Sequence, residues 1–172
     1  MFQAYQRRLD PAGRTLLLPA GRQPGLLKLH WQLSMAPNGD LYFAGKASAD
    51  AQPDIYRAEL VDGQYTVMTK LEGTVNTDLM EHSPYIAKDC SYLLFSRVNR
   101  QLTDADLYVS FRDENGSWKQ AIRLPAPINT AAHDQCPRIS DDGKYLFFIS
   151  HRGGRSLPYW IDASVIEELR PR

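Results

Sequence analysis

CPRISDDGKYLFFISHRGG, residues 136–154, is the stretch whose reading decides the fold. Arg138 and Ile139 lead into Ser140-Asp141-Asp142-Gly143, and Tyr145–Ser150 runs on as an aromatic, apolar segment. The pattern predicts strand, tight turn, strand. Asp142-Gly143 stands at the turn, where glycine takes positive φ without steric cost. If the stretch is unique, its Asp, His and Arg residues are candidates for chemistry. If it is one unit of a series, they are first of all scaffold.

It is one unit of a series. Asp54-Ile55-Tyr56 returns as Asp106-Leu107-Tyr108, 52 residues later, and Pro158-Tyr159-Trp160 follows after another 52. Gly73-Thr74-Val75-Asn76-Thr77 returns as Ala126-Pro127-Ile128-Asn129-Thr130. Five residues after each Asn stands an acid, Glu81 and Asp134, and three residues further a proline, Pro84 and Pro137. Ser83–Phe95 thereby matches the opening stretch, and Leu33–Phe43 is an earlier, slightly shifted copy. Within the unit, Tyr85–Lys88, Tyr92–Arg97, Asp106–Phe111 and Ser117–Arg123 are strand-sized and separated by turn residues. Four short antiparallel strands repeating at about 50 residues are the signature of a β-propeller blade.

The segments INTAAHDQCPRISDDGKYLFFIS and VNTDLMEHSPYIAKDCSYLLFS, each with DLY or its equivalent, resemble the WD40-like repeats of TolB-type propellers. DLYVSFRDENGSWKQAIRLPAPINT and PYWIDASVIEEL resemble the C-terminal half of bacterial exported propeller proteins. The resemblance spans most of residues 31–165 and implies an all-β propeller of unstated ligand. One propeller-type domain is expected over 1–172, divided as a partial blade (1–30), two blades (31–80 and 81–134) and a final blade (135–172). Tyr5–Arg14 resembles Tyr56–Gln64, which places the start of the chain on the outer half of a blade. The last blade shows no fourth strand. Asp162–Leu169 is expected as a short helix instead, capped by Asp162 or Ser164, with Val165, Ile166 and Leu169 on one face.

Three and a half blades leave sheet edges and faces open. The partners expected are therefore a second copy of the chain or a missing N-terminal half of a longer propeller. Composition agrees with a globular domain: 172 residues, 43% hydrophobic, 23% charged, with 20 basic and 20 acidic residues. That balance speaks against nucleic acid as the main partner, and no apolar run reaches the length of a membrane span. MFQAYQRRLDPAGR has no apolar signal region, so the chain as written is expected in the cytoplasm; as part of an exported relative it would be periplasmic. Cys90 and Cys136 have neither CxxC spacing nor a disulfide framework, and whether they pair stays open.

Residues that recur in successive units are most simply structural. Asn76 and Asn129 are expected to hold the loops entering the innermost strands by Asx-type bonds. Glu81 and Asp134 are expected on backbone N–H groups or a neighbouring blade's arginine. The non-recurring set is Trp31, His133, Arg138, His151, Arg152 and Arg155. His82 beside Glu81 and His133 beside Asp134 stand just before strands that line a propeller's channel. Glu81, His82, His133, Asp134, Arg138, His151 and Arg152 are thus the candidate ligand-binding residues. His82 and His133 are also the candidate ligands for a divalent cation such as Zn or Mn, although no HxH or HExxH spacing supports one. His151-Arg152-Gly153-Gly154-Arg155 reads as a basic loop able to take a carboxylate or sugar acid. No nucleophile elbow, P-loop or Rossmann glycine pattern occurs. The expected function is a non-catalytic module binding a protein, peptide or glycan. The alternatives are a propeller-type lyase or hydrolase with a His/acid site, metal-dependent or not, and a fragment without independent function.

Overall fold

The computed structural model describes residues 30–48, 50–66, 68–101 and 103–171, with side chains from Gln32 onward. The expected half-blade at residues 1–30, His30 aside, and the side chain of Trp31 lie outside the described residues.

The chain is all-β, built from antiparallel sheets in sequence order. Its strands are β1 (His30–Met35), β2 (Leu41–Gly45), β3 (Asp54–Ala58), β4 (Leu60–Val61), β5 (Gln64–Tyr65), β6 (Thr69–Lys70), β7 (Met80–Ile86), β8 (Tyr92–Val98), β9 (Ala105–Phe111), β10 (Ile122–Arg123), β11 (Asp134–Ile139), β12 (Tyr145–Ser150) and β13 (Leu157–Asp162). The first sheet has the order β1-β2-β3-β6, the second β7-β8-β9-β10 and the third β11-β12-β13, while β4 and β5 form a small separate hairpin. One helix, α1 (Ser164–Glu168), follows β13. Its N-cap is Ala163, which makes no side-chain cap bond, rather than the expected Asp162 or Ser164: the Asp162 carboxylate accepts the Ser164 N–H (2.8 Å) from one residue before the cap, and Ile166 is the residue the helix buries.

Strand bounds differ from the sequence reading at both edges of the second sheet. β7 begins five residues earlier than expected, because Glu81 and His82 pair with Arg97 and Ser96 before a bulge. The outer strand shrinks to Ile122–Arg123, preceded by a single Arg112–Trp118 bridge.

Alternation on each strand sorts the core into layers. Tyr42 and Ile55 of the first sheet, with Leu71 and Val75 just after it, meet Ile86, Leu93 and Phe95 of the second. The other face of the second sheet, with Leu94, Leu107, Val109 and Phe111, meets Ile139, Leu146, Phe148 and Ile166. Fully burying one such side chain contributes about 1.5–3 kcal/mol, so these two layers carry most of the stability. A third cluster, Phe43, Tyr56, Ala58 and Met68, closes the far face of the first sheet.

The turns joining the first two strands of each sheet share one geometry. Gly39, Cys90 and Gly143 each donate N–H to a carbonyl three residues back (Ala36, Ala87 and Ser140, all 2.9 Å), and each has positive φ, at 91, 59 and 78°. Cys90 occupies a glycine's conformation, with the steric cost a Cβ brings there.

Candidate functional site

The recurring polar residues form clasps. Asn76 Oδ1 accepts the Ile55 N–H (2.7 Å) while its Nδ2 donates to the carbonyls of Ile55 and Leu71 (2.9 Å each). Asn129 repeats all three bonds on Leu107 and Leu124 at the same distances. Each amide imitates a neighbouring strand and ties down the third strand of its sheet, β3 or β9. That differs from the expected Asx bonds at the loop into the next sheet, because a carboxamide offers the paired donor and acceptor that a strand residue leaves unsatisfied.

The acids are clasps too. Glu81, fully buried, accepts from the Thr77 hydroxyl (2.6 Å), the Thr77 N–H (3.2 Å) and Arg97 Nε (2.7 Å). Arg97 also donates to the carbonyls of Thr74 and Val75 and lies over the rings of Phe95 and Tyr108. Asp134, equally buried, accepts from the Thr130 N–H (2.7 Å) and hydroxyl (2.8 Å) and from Arg152 (3.2 Å). Arg152 donates to Ser150 and to the carbonyls of Pro127 and Ile128, and lies over Phe148 and Tyr159. Burial alone would raise the Asp134 carboxyl. Bonds from Ser150, Thr130 and Arg152 outweigh it and hold the group below the usual carboxylate range.

Each arginine comes from the acid's own unit, not a neighbouring one: Arg97 from β8 and Arg152 from the turn that follows β12. Opposite Glu81 on β8 stands Arg97, whereas opposite Asp134 on β12 stands Ser150. The shorter Asp is met by a serine, and the arginine moves two places on. That offset hid Arg152 among the non-recurring residues. Its guanidinium is engaged within the protein, so the loop's ligand-binding reading loses its central cation.

What remains for a ligand lies at the bulges of the inner strands. β1, β7 and β11 each break register at the same place, between Trp31 and Ser34, His82 and Tyr85, and Gln135 and Arg138. In each bulge a non-glycine residue is left-handed: Gln32 at φ 56°, Ser83 at 53° and Cys136 at 58°. A bulge needs no ladder N–H from its next residue, which is why Pro84 and Pro137 fit there. The N–H of the left-handed residue in β7 and in β11 is taken by the preceding sheet. Gln32 Oε1 accepts from Ser83 N (2.9 Å), and Ser96 Oγ accepts from Cys136 N (3.1 Å).

These bulges bring together residues far apart in sequence. His82 Nδ1 and Ser83 Oγ share a hydrogen bond (2.9 Å), and Ser83 Oγ lies 3.4 Å from Cys136 Sγ. His133 and His151 face each other at 5.2 Å between ring centroids, and the His151 N–H donates to the His133 carbonyl (3.0 Å). Burial, helped by the nearby His133, pushes His82 down to about 4, so it is neutral at physiological pH. Both cysteines are free. Arg138 is set apart: it is exposed on β11, opposite Phe147. Among the described residues no group of three or more His, Cys, Asp or Glu side chains is placed to hold a metal ion. Gln32, Ser83 and Cys136 were missed in the sequence, although the proline after two of them marked the spot.

No protein-family model matches the chain, and no curated protein matches it in sequence.

Proposed function

We propose that the chain is a non-catalytic module of the TolB-type, WD40-like propeller kind, its three sheets being successive blades. It holds a peptide or glycan at the bulged inner strands. The observation that carries the reading is the row of left-handed bulge residues Gln32, Ser83 and Cys136, in register on three inner strands, with His82 beside them. Left-handed backbone at non-glycine residues costs about 1–3 kcal/mol each, a cost that recurs where a surface must present side chains in one direction. The groups gathered there are a neutral imidazole, a carboxamide and a thiol around the buried Ser83 hydroxyl, which suit amide and hydroxyl ligands. The two carboxylates that a lyase or hydrolase would use are instead buried under Thr and Arg donors.

The test follows the histidine ring protons by NMR while short peptides and neutral and acidic oligosaccharides are titrated in. Saturable shifts of His133 and His151, abolished in the Ser83→Ala variant, support the reading. Conversion of any panel member to product points to the enzyme reading instead, and silence across the panel overturns the site.

A further inference from the structure

The third sheet carries on its outer face the positions that the second sheet buries. Strand pairing aligns Leu94 with Phe147, because each stands opposite the residue after its bulge, Tyr85 or Arg138. Their partners align likewise, Val109 with Trp160. In the second sheet Leu94 and Val109 are both 0% exposed, covered by the third sheet. In the third sheet Phe147 is 41% exposed and Trp160 64%. Tyr145 joins them, edge-on to Trp160 at 5.1 Å and to Phe147 at 6.4 Å between centroids. An ordered aromatic cluster on an open sheet face marks an interaction surface.

We propose that this face is the contact between two copies of the chain, packed about a two-fold axis. Its charges favour that occupant. Arg138 on β11 lies opposite Phe147, and Asp162 on β13 lies opposite Tyr145, so one cation and one anion flank the aromatic cluster on opposite edge strands. Among the described residues Arg138 forms no ion pair within its own chain. Asp162 uses Oδ1 on the Ser164 N–H and presents the rest of its charge to solvent. A two-fold axis running along the strands lays β11 of one copy over β13 of the other at the sheet-packing distance of about 10 Å. That brings Arg138 to Asp162 twice and the aromatic clusters together at the centre. Among the described residues head-to-tail stacking finds no matching open aromatic face on the first sheet, where Phe43 and Tyr56 are buried.

The experiment is sedimentation velocity of the full chain from about 1 to 100 μM, a range that brackets a micromolar dissociation constant. The wild-type chain is expected to be a concentration-dependent dimer, and Trp160→Glu a monomer with unchanged circular dichroism. Arg138→Glu and Asp162→Arg should each weaken the dimer about tenfold or more, and the double reversal should restore it. Val61→Glu, at an exposed apolar position on another sheet, should leave it intact. A wild-type monomer throughout, a dimer indifferent to Trp160→Glu, or a double reversal no stronger than the single ones overturns the proposal.

Discussion

The second and third sheets are built on nearly the same plan and end in opposite situations. Both hold a buried acid with a threonine and an arginine, both bulge at a left-handed residue followed by proline, and both turn at a Gly-like position. Yet Leu94 and Val109 are sealed between sheets while Phe147 and Trp160 face outward. The polar clasps therefore belong to each sheet by itself, whereas burial of the apolar face belongs to the sheet's place in the stack.

The sharpest way to break that comparison is through the clasps, which should cost the same in both sheets. Arg97→Met and Arg152→Met each leave a buried carboxylate unpaired, and each should lower unfolding free energy by about 3–5 kcal/mol in urea denaturation. Very unequal losses would show that the two clasps are not equivalent. The faces should behave oppositely. Leu94→Ala opens a cavity between sheets and should cost about 2–5 kcal/mol, while Phe147→Ala, measured at monomeric concentration, should change stability by less than about 0.5 kcal/mol.

The asparagines sharpen the same point. Asn76→Ala and Asn129→Ala leave a strand N–H and two carbonyls without their partner, and each should cost about 2 kcal/mol in the same assay. Acid should then separate the bulge from the clasp. His82 is depressed to about 4 when folded, so its stabilisation is complete above the unfolded value of 6.5 and is lost as pH falls from there toward 4. The loss is roughly 2 kcal/mol once partial solvent access is allowed for. Asp134 is depressed too, so its contribution persists to lower pH and is lost only below 3.8. His82→Gln should remove the first step in a pH series of urea melts and leave the second. The smallest effect is a gain: Cys90→Gly relieves a left-handed cysteine at φ 59° and should raise stability by about 0.5–1 kcal/mol.

Most of the architecture was legible from residue spacing. The interval between Asn76 and Asn129 marked the recurring polar positions, aromatic and apolar runs at Tyr92–Arg97 and Tyr145–Ser150 located the central strands, and Asn38-Gly39 and Asp142-Gly143 located the turns. The site was only half legible. His82 and His133 stood out by type, but their neighbours Gln32, Ser83 and Cys136 are ordinary residues made special by backbone geometry. The pairing of Arg152 was hidden for the converse reason. Its partner Asp134 lies 18 positions away, and the two-residue offset from Arg97 breaks the spacing that would have revealed it.

What the sequence by itself determined is local: where strands run, where glycine must turn, and which polar residues recur as scaffold. Those follow from period-two alternation and backbone sterics within a few residues. Tertiary structure alone decided which identical-looking face is covered, which acid meets which arginine, and which side chains gather at the bulges. Burial and hydrogen bonding between sheets depend on register and stacking, and no residue carries these in its own chemistry.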